Sequence, residues 1–217
     1  MMNAALLALL LLADATAVAR RVLPDDAARY PDWEVPGDHL RVVGRLDRHT
    51  AHATAQRLLH RRSDAVVLVI DSPGGGLESS VQLAATMLLL RHKAGVNITC
   101  LVSGTAGSAA FTVLQHCTHR LVAPNARLLQ HRAAHGSGQS AAGRVAADRL
   151  VCALEAERIG VPTGAWLARV NAEVDVRGGA RAVRLGLADA VVRPRWSRRA
   201  ARASLLDALL LALALAD

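Results

Sequence analysis

Segments that read alternately as strand and helix between residues 38 and 193 predict an α/β fold, a parallel sheet flanked by helices. Three observations carry that prediction. Ala65-Val-Val-Leu-Val-Ile70 is an unbroken apolar run rich in β-branched residues, as in a strand buried on both faces of a parallel sheet. It leaves through a glycine-rich exit, Asp71-Ser-Pro-Gly-Gly-Gly76, into a helical stretch from Leu77 to His92. A second strand, Asn97-Ile-Thr-Cys-Leu-Val102, repeats the pattern: its exit runs Ser103-Gly-Thr-Ala-Gly-Ser108, and a helix spans Gly107 to His116.

The remaining elements follow in order. Leu40-Arg-Val-Val-Gly44 reads as a short strand, and residues 49–62 as a helix with Ala51, Ala55, Leu58 and Leu59 on one face. Arg120-Leu-Val-Ala123 and Leu128-Leu-Gln-His131 are short strands around the turn Pro124-Asn125. A small-residue loop over 133–142 carries Gly136, Ser137, Gly138 and Ser140. Helical stretches then run to about residue 170, followed by Ala180–Leu185 and a last strand, Ala190-Val-Val192. With no internal repeat and no low-complexity linker, residues 38–193 are expected to form one domain.

The chain has 217 residues, 52% of them apolar and 20% charged, which is enough for a core and typical of a globular domain. Aromatic residues are scarce, namely Tyr30, Phe111 and three Trp, so the core is built from Ala, Leu and Val. Scarcity of rings also argues against nucleic-acid binding by base stacking. The net charge of +8 comes almost wholly from arginine, clustered at Arg20-Arg21, Arg61-Arg62 and Arg193 to Arg202. It reads as solvated surface and membrane-flanking charge, with no nucleic-acid partner. Cys100, Cys117 and Cys152 are odd in number and lack CxxC spacing, so no disulfide framework is expected. His116-Cys117-Thr118-His119 reads as a helix end with two surface histidines, and no metal or other cofactor is expected.

Both ends are apolar. Residues 4–13 (AALLALLLLA) precede a small-x-small pattern, Ala17-Val18-Ala19, so 1–19 reads as a signal peptide or membrane segment. Residues 205–216 (LLDALLLALALA) make 204–217 an apolar C-terminal helix. Each run alone is shorter than the ~20 residues of a spanning helix. A cleaved signal would export the domain. Membrane contact at both ends would place residues 20–204 on the cytoplasmic side by the positive-inside rule. The expected location is membrane-associated or periplasmic, with the cytoplasmic face left open.

Acyl transfer needs a nucleophile, a base and donors aimed at the developing oxyanion. The glycines of 71–76 allow backbone N–H groups to point into a cleft, and Pro73 fixes the turn. Ser108 stands at the start of a helix after a strand, where the dipole favours negative charge; on its own it also reads as a plain N-cap. The whole order is strand, Ser72-Pro-Gly-Gly75, helix, strand, Gly-x-Ala-x-Ser108, helix, then Ala123-Pro-Asn-Ala-Arg-Leu-Leu-Gln-His131. It resembles the Clp-protease proteolytic subunit and its membrane-associated and periplasmic relatives in the Clp/crotonase superfamily. The resemblance covers roughly residues 40–192, and Ala182-Val-Arg-Leu-Gly-Leu-Ala-Asp189 adds a late match to the family's helix-to-strand exit.

That resemblance implies a Clp/crotonase-like repeated ββα spiral fold and a serine peptidase acting on polypeptides. Ser108 would be the nucleophile, His131 the general base and Asp175 the triad acid, with Glu173 and Asp189 as rivals for the last role. The N–H groups of Gly75 and Ala109 would form the oxyanion hole, and Gly74, Gly76 and Arg132 would line the substrate strand. Residues 133–140 fall where the family has its handle, which implies a homo-oligomer. Two departures stand out: the Ser108–His131 interval is two residues shorter than in the Clp subunit, and aligning on Phe111 puts Gly107 at the nucleophile. The shorter interval is similar to that of the periplasmic branch. No lysine follows Ser108, which argues against the Ser–Lys dyad of related signal-peptide peptidases. Two other readings stay open: a catalytically inactive Clp-fold scaffold or peptide binder at a membrane, and a crotonase-type acyl-CoA enzyme.

Overall fold

The computed structural model describes residues 30–36, 38–133 and 141–196. The expected leader over 1–19, the apolar C-terminal helix and most of the 133–142 loop lie outside the described residues. Within them the order is β1 (Asp32–Val35), β2 (Leu40–Leu46), α1 (Arg48–Leu59), β3 (Ala65–Gly75), α2 (Leu77–Ala94), β4 (Asn97–Gly107), α3 (Ala109–Gln115), β5 (His119–Val122) and β6 (Arg127–Gln130). Then follow α4 (Ala141–Ile159), α5 (Thr163–Asn171), β7 (Val174–Arg177), α6 (Gly179–Arg184), β8 (Ala190–Val191) and β9 (Arg193–Trp196).

The main sheet runs β2-β3-β4-β5-β8, all parallel, as the alternating pattern predicts. Parallel neighbours need crossovers, which α1, α2 and α3 provide. Leu68, Ile70, Ile98, Cys100 and Val102 project to the helical side, where they meet Leu58, Leu83, Met87 and Phe111 in the main core. Val69 and Leu101 alternate to the other face and pack on Val35 and Val192. Those two residues belong to β1 and the segment entering β9, which pair in parallel as a separate two-stranded sheet. Neither strand was legible in the sequence.

Two strands run further than expected. β3 continues past Ile70 to Gly75, and β4 past Val102 to Gly107. The register slips between Ile70 and Ser72. There the Asp71 carboxylate accepts the Thr105 N–H at 2.9 Å, so the ladder bends instead of ending. β4 changes partner across this bend, from β5 at Thr99–Val102 to β6 at Thr105–Gly107. Antiparallel β7 then closes on β6.

The cysteine expectation is corrected. Cys100 on β4 and Cys117 after α3 form a disulfide, with Cα atoms 5.9 Å apart at a sequence separation of 17. Spacing rules read cysteines along the chain, whereas the strand–helix return of β4 and α3 brings these two together in space. His116 is likewise buried, not at the surface. Its Nδ1 lies 2.7 Å from the Thr112 carbonyl, and burial lowers its pKa.

Candidate active site

Both glycine-rich exits meet backbone to backbone. A Cβ on Gly74, whose φ is +103°, would stand 2.8 Å from the Ser108 Cβ and run into the Gly107 carbonyl. A Cβ on Gly107 would stand 2.7 Å from the Pro73 carbonyl oxygen. Only glycine allows this approach. The buried Ser72 hydroxyl tightens the first exit by accepting the Gly74 N–H at 3.1 Å.

Ser108 lies on a sharp elbow between β4 and α3, with φ 48° and ψ −118°. A non-glycine residue there is strained, and such strain concentrates at functional sites. The conformation explains why α3 starts at Ala109, two residues later than the sequence suggests. The side chain makes no capping bond to α3, so the plain N-cap reading fails and the hydroxyl is not consumed by the helix. Its backbone is pinned: the Ser108 N–H reaches the Leu129 carbonyl at 2.8 Å, and its carbonyl accepts the Thr112 N–H at 3.1 Å.

Ser108 and His131 line one cavity of about 320 Å3, together with Gly74, Gly75 and Ala109. Five residues singled out from the sequence thus meet around one space. As the first residue of α3, Ala109 has an N–H without a partner one turn back in the helix. The His131 Nδ1 lies 2.7 Å from the Arg132 carbonyl oxygen. A carbonyl can only accept, so Nδ1 carries the proton and Nε2 is left as the basic nitrogen.

Gly76 and Arg132 are not on the cavity wall. The Gly76 N–H is bonded to the Leu46 carbonyl at 2.9 Å, and the Arg132 Nε donates to Asp148 at 3.3 Å. Asp175 is not hydrogen-bonded to His131. Its two carboxylate oxygens accept from Arg127 Nε and Nη2, each at 2.9 Å, which holds the carboxyl below its ordinary pKa. Of its rivals, Glu173 is exposed at φ 62° after α5. Asp189 accepts from the Arg120 backbone, Nε and Nη2, and from Arg158. Burial would raise the Asp189 carboxyl, but these Arg120 bonds outweigh it and keep the pKa low.

Several wall residues were not foreseen: Thr112, Gln130, Asp148 and Cys152 all line the cavity. Burial, with Glu155 and Asp148 nearby, pushes the Cys152 thiol up to about 12, so it is no rival nucleophile. Behind the wall, Glu155 is fully buried and accepts from Thr112 Oγ1 at 2.7 Å, from Trp166 Nε1 at 2.7 Å and from Gln130 Nε2. The available signal was a carboxylate on the apolar stripe of a helix, since Val151, Cys152 and Ala156 share its buried face. Among the described residues, no group of three or more His, Cys, Asp or Glu side chains is arranged to hold a metal ion.

A parallel α/β sheet that brings a strained serine and a histidine to one glycine-walled cleft defines the class of this α/β protein. Residues 38–195 match the family described as Clp protease, and the chain belongs to that family. The match spans the sheet from β2 to β8 and the whole cleft.

Proposed function

We propose that this chain is a serine peptidase that hydrolyses polypeptides through an acyl-enzyme at Ser108, with His131 as general base. The observation that carries the reading is the Ser108 elbow, whose hydroxyl leaves the helix uncapped beside the same cavity as His131. In this reading Ser108 Oγ attacks the scissile carbonyl carbon while His131 Nε2 takes its proton. The N–H groups of Gly75 and Ala109 hold the oxyanion, and His131 returns the proton to the leaving amine. Water then hydrolyses the ester by the same route. General-base catalysis of this kind is worth ~10²–10⁴-fold.

Asp175 is the carboxylate we propose for orienting the base. It pairs with Leu129 across β6 and β7, and strand alternation puts Leu129 and His131 on one face. Serving His131 requires its carboxylate to leave Arg127. Gly76 and Arg132 we assign to the approach of the substrate strand. A homo-oligomer and membrane association fit the family and the apolar ends. Among the described residues no helix is long and apolar enough to cross a membrane. An exported, periplasmic location is supported by the Cys100–Cys117 disulfide, because such bonds persist mainly in oxidising compartments.

One observation favours a second reading, an inactive peptide-binding scaffold: Asp175 is held by Arg127 and not by His131. Labelling with a fluorophosphonate probe separates the two. The wild type should label, and both Ser108→Ala and His131→Ala should abolish labelling. An unlabelled but folded wild type would establish the scaffold.

A further inference from the structure

Glu155 stands apart from the groups assigned to the reaction, yet it touches the supports of both. It is fully buried on α4 and, among the described residues, receives three hydrogen bonds and no ion pair. Burying an isolated carboxylate is costly, and an apolar side chain would fill the space without that cost. Burial pushes its pKa up to about 7, while the Trp166, Thr112 and Gln130 donors oppose that rise and favour the charged form.

The direction of these bonds is informative. The His131 backbone N–H can only donate, so Gln130 turns its oxygen to it and its amide NH2 toward Glu155. The Gln130 Oε1 accepts that N–H at 3.1 Å. On the other side Thr112 donates its hydroxyl to Glu155, while its N–H holds the Ser108 carbonyl. Trp166 reaches in from α5 and stacks on Phe111 of α3 with ring centroids 5.8 Å apart. One buried carboxylate therefore links the helix that begins after the nucleophile to the strand end that presents the base.

We infer that Glu155 is a positioning residue for the Ser108–His131 pair, acting through Thr112 and Gln130. The inference rests on the peptidase reading and deepens it. Its specific content is hydrogen-bond polarity. In Glu155→Gln the new amide must keep its oxygen toward Trp166, which can only donate, so its NH2 faces Gln130. Gln130 must then turn its own oxygen inward, and its NH2 meets the His131 N–H, donor against donor. Swapping the two groups, Glu155→Gln with Gln130→Glu, repairs this. The carboxylate at 130 accepts from the amide at 155 and from the His131 N–H at once.

The test is the rate of fluorophosphonate labelling of the full chain for wild type, Glu155→Gln and the double swap, with thermal melting to verify folding. Glu155→Gln should lower the maximal labelling rate about tenfold or more, with little change in the half-saturating probe concentration. The double swap should recover most of that loss. Undiminished labelling in folded Glu155→Gln overturns the inference and leaves the peptidase reading standing. So does a folded double swap no faster than the single variant. A folded wild type that does not label overturns the peptidase reading, and the inference with it.

Discussion

At Ser108 the backbone holds φ 48° and ψ −118° in a residue with a Cβ, against the close approach of Gly74. Strain of this kind costs about 1–3 kcal/mol, and the rest of the fold must supply it. Ser108→Gly removes the strain but frees the unfolded chain, so we expect a net gain of about 1 kcal/mol with all labelling lost. Denaturant unfolding of the variant checks it, and a loss of stability would mean the elbow is relaxed. Glu155 offers a second measurement. Its pKa rises on folding from the ordinary 4.5 to about 7, so the native state binds a proton that the unfolded chain has released. Its contribution is complete below pH 4.5 and is lost as pH rises through about 7, in total roughly 3 kcal/mol. Asp148 and Cys152 lie near it on α4, and the Cys152 thiol stays protonated across that window. Unfolding free energies of wild type should fall over that window, and those of Glu155→Gln should fall less.

Among the elements, β3 and β4 place the site because they bend together. The exits from both strands lie in contact, with Gly74 against Gly107 and Ser108, and Gly75 against the Leu46 backbone. A methyl group at Gly74 meets backbone on α3's approach and takes up a disfavoured φ of +103°. We expect Gly74→Ala to cost about 2–5 kcal/mol by crowding and strain, seen as a lower melting temperature. Gly95, which has open space around it, should tolerate the same change better despite its φ of +65°. Segment types were legible here because composition reports burial: the apolar runs at 65–70 and 97–102 are strands in the structure. Their lengths were not, because Asp71 and Gly104 look like chain breakers in sequence. In the fold, the Asp71 carboxylate fills the space over Gly104 and bonds the next strand. Strands β1, β7 and β9 are four residues long and each carries two charged residues, so only their pairing marks them as strands.

Across the whole molecule, the Cys100–Cys117 bond encloses Ser108, joining the strand before it to the end of the helix after it. Both sulfurs are in the main core. A cross-link closing a loop of this size stabilises by about 3 kcal/mol, mainly by restricting the unfolded chain. Cys100→Ala/Cys117→Ala should therefore melt lower by several degrees, and a reductant should lower the wild type to a similar extent. Equal melting temperatures with and without reductant would remove the bond from the stability of the fold. The α/β class, the parallel sheet and the two glycine-rich exits follow from local pattern, because apolar runs and turn residues act over a few positions. Ser108, His131, Gly74, Gly75 and Ala109 were singled out through the resemblance to the Clp proteases, which the order of those exits and of Ala123–His131 carries. Tertiary structure alone decided the disulfide, the ion pair of Asp175 with Arg127, and the buried Glu155 linking Thr112 to Gln130. Each depends on which side chains meet across elements far apart in the chain, and local pattern carries no record of that.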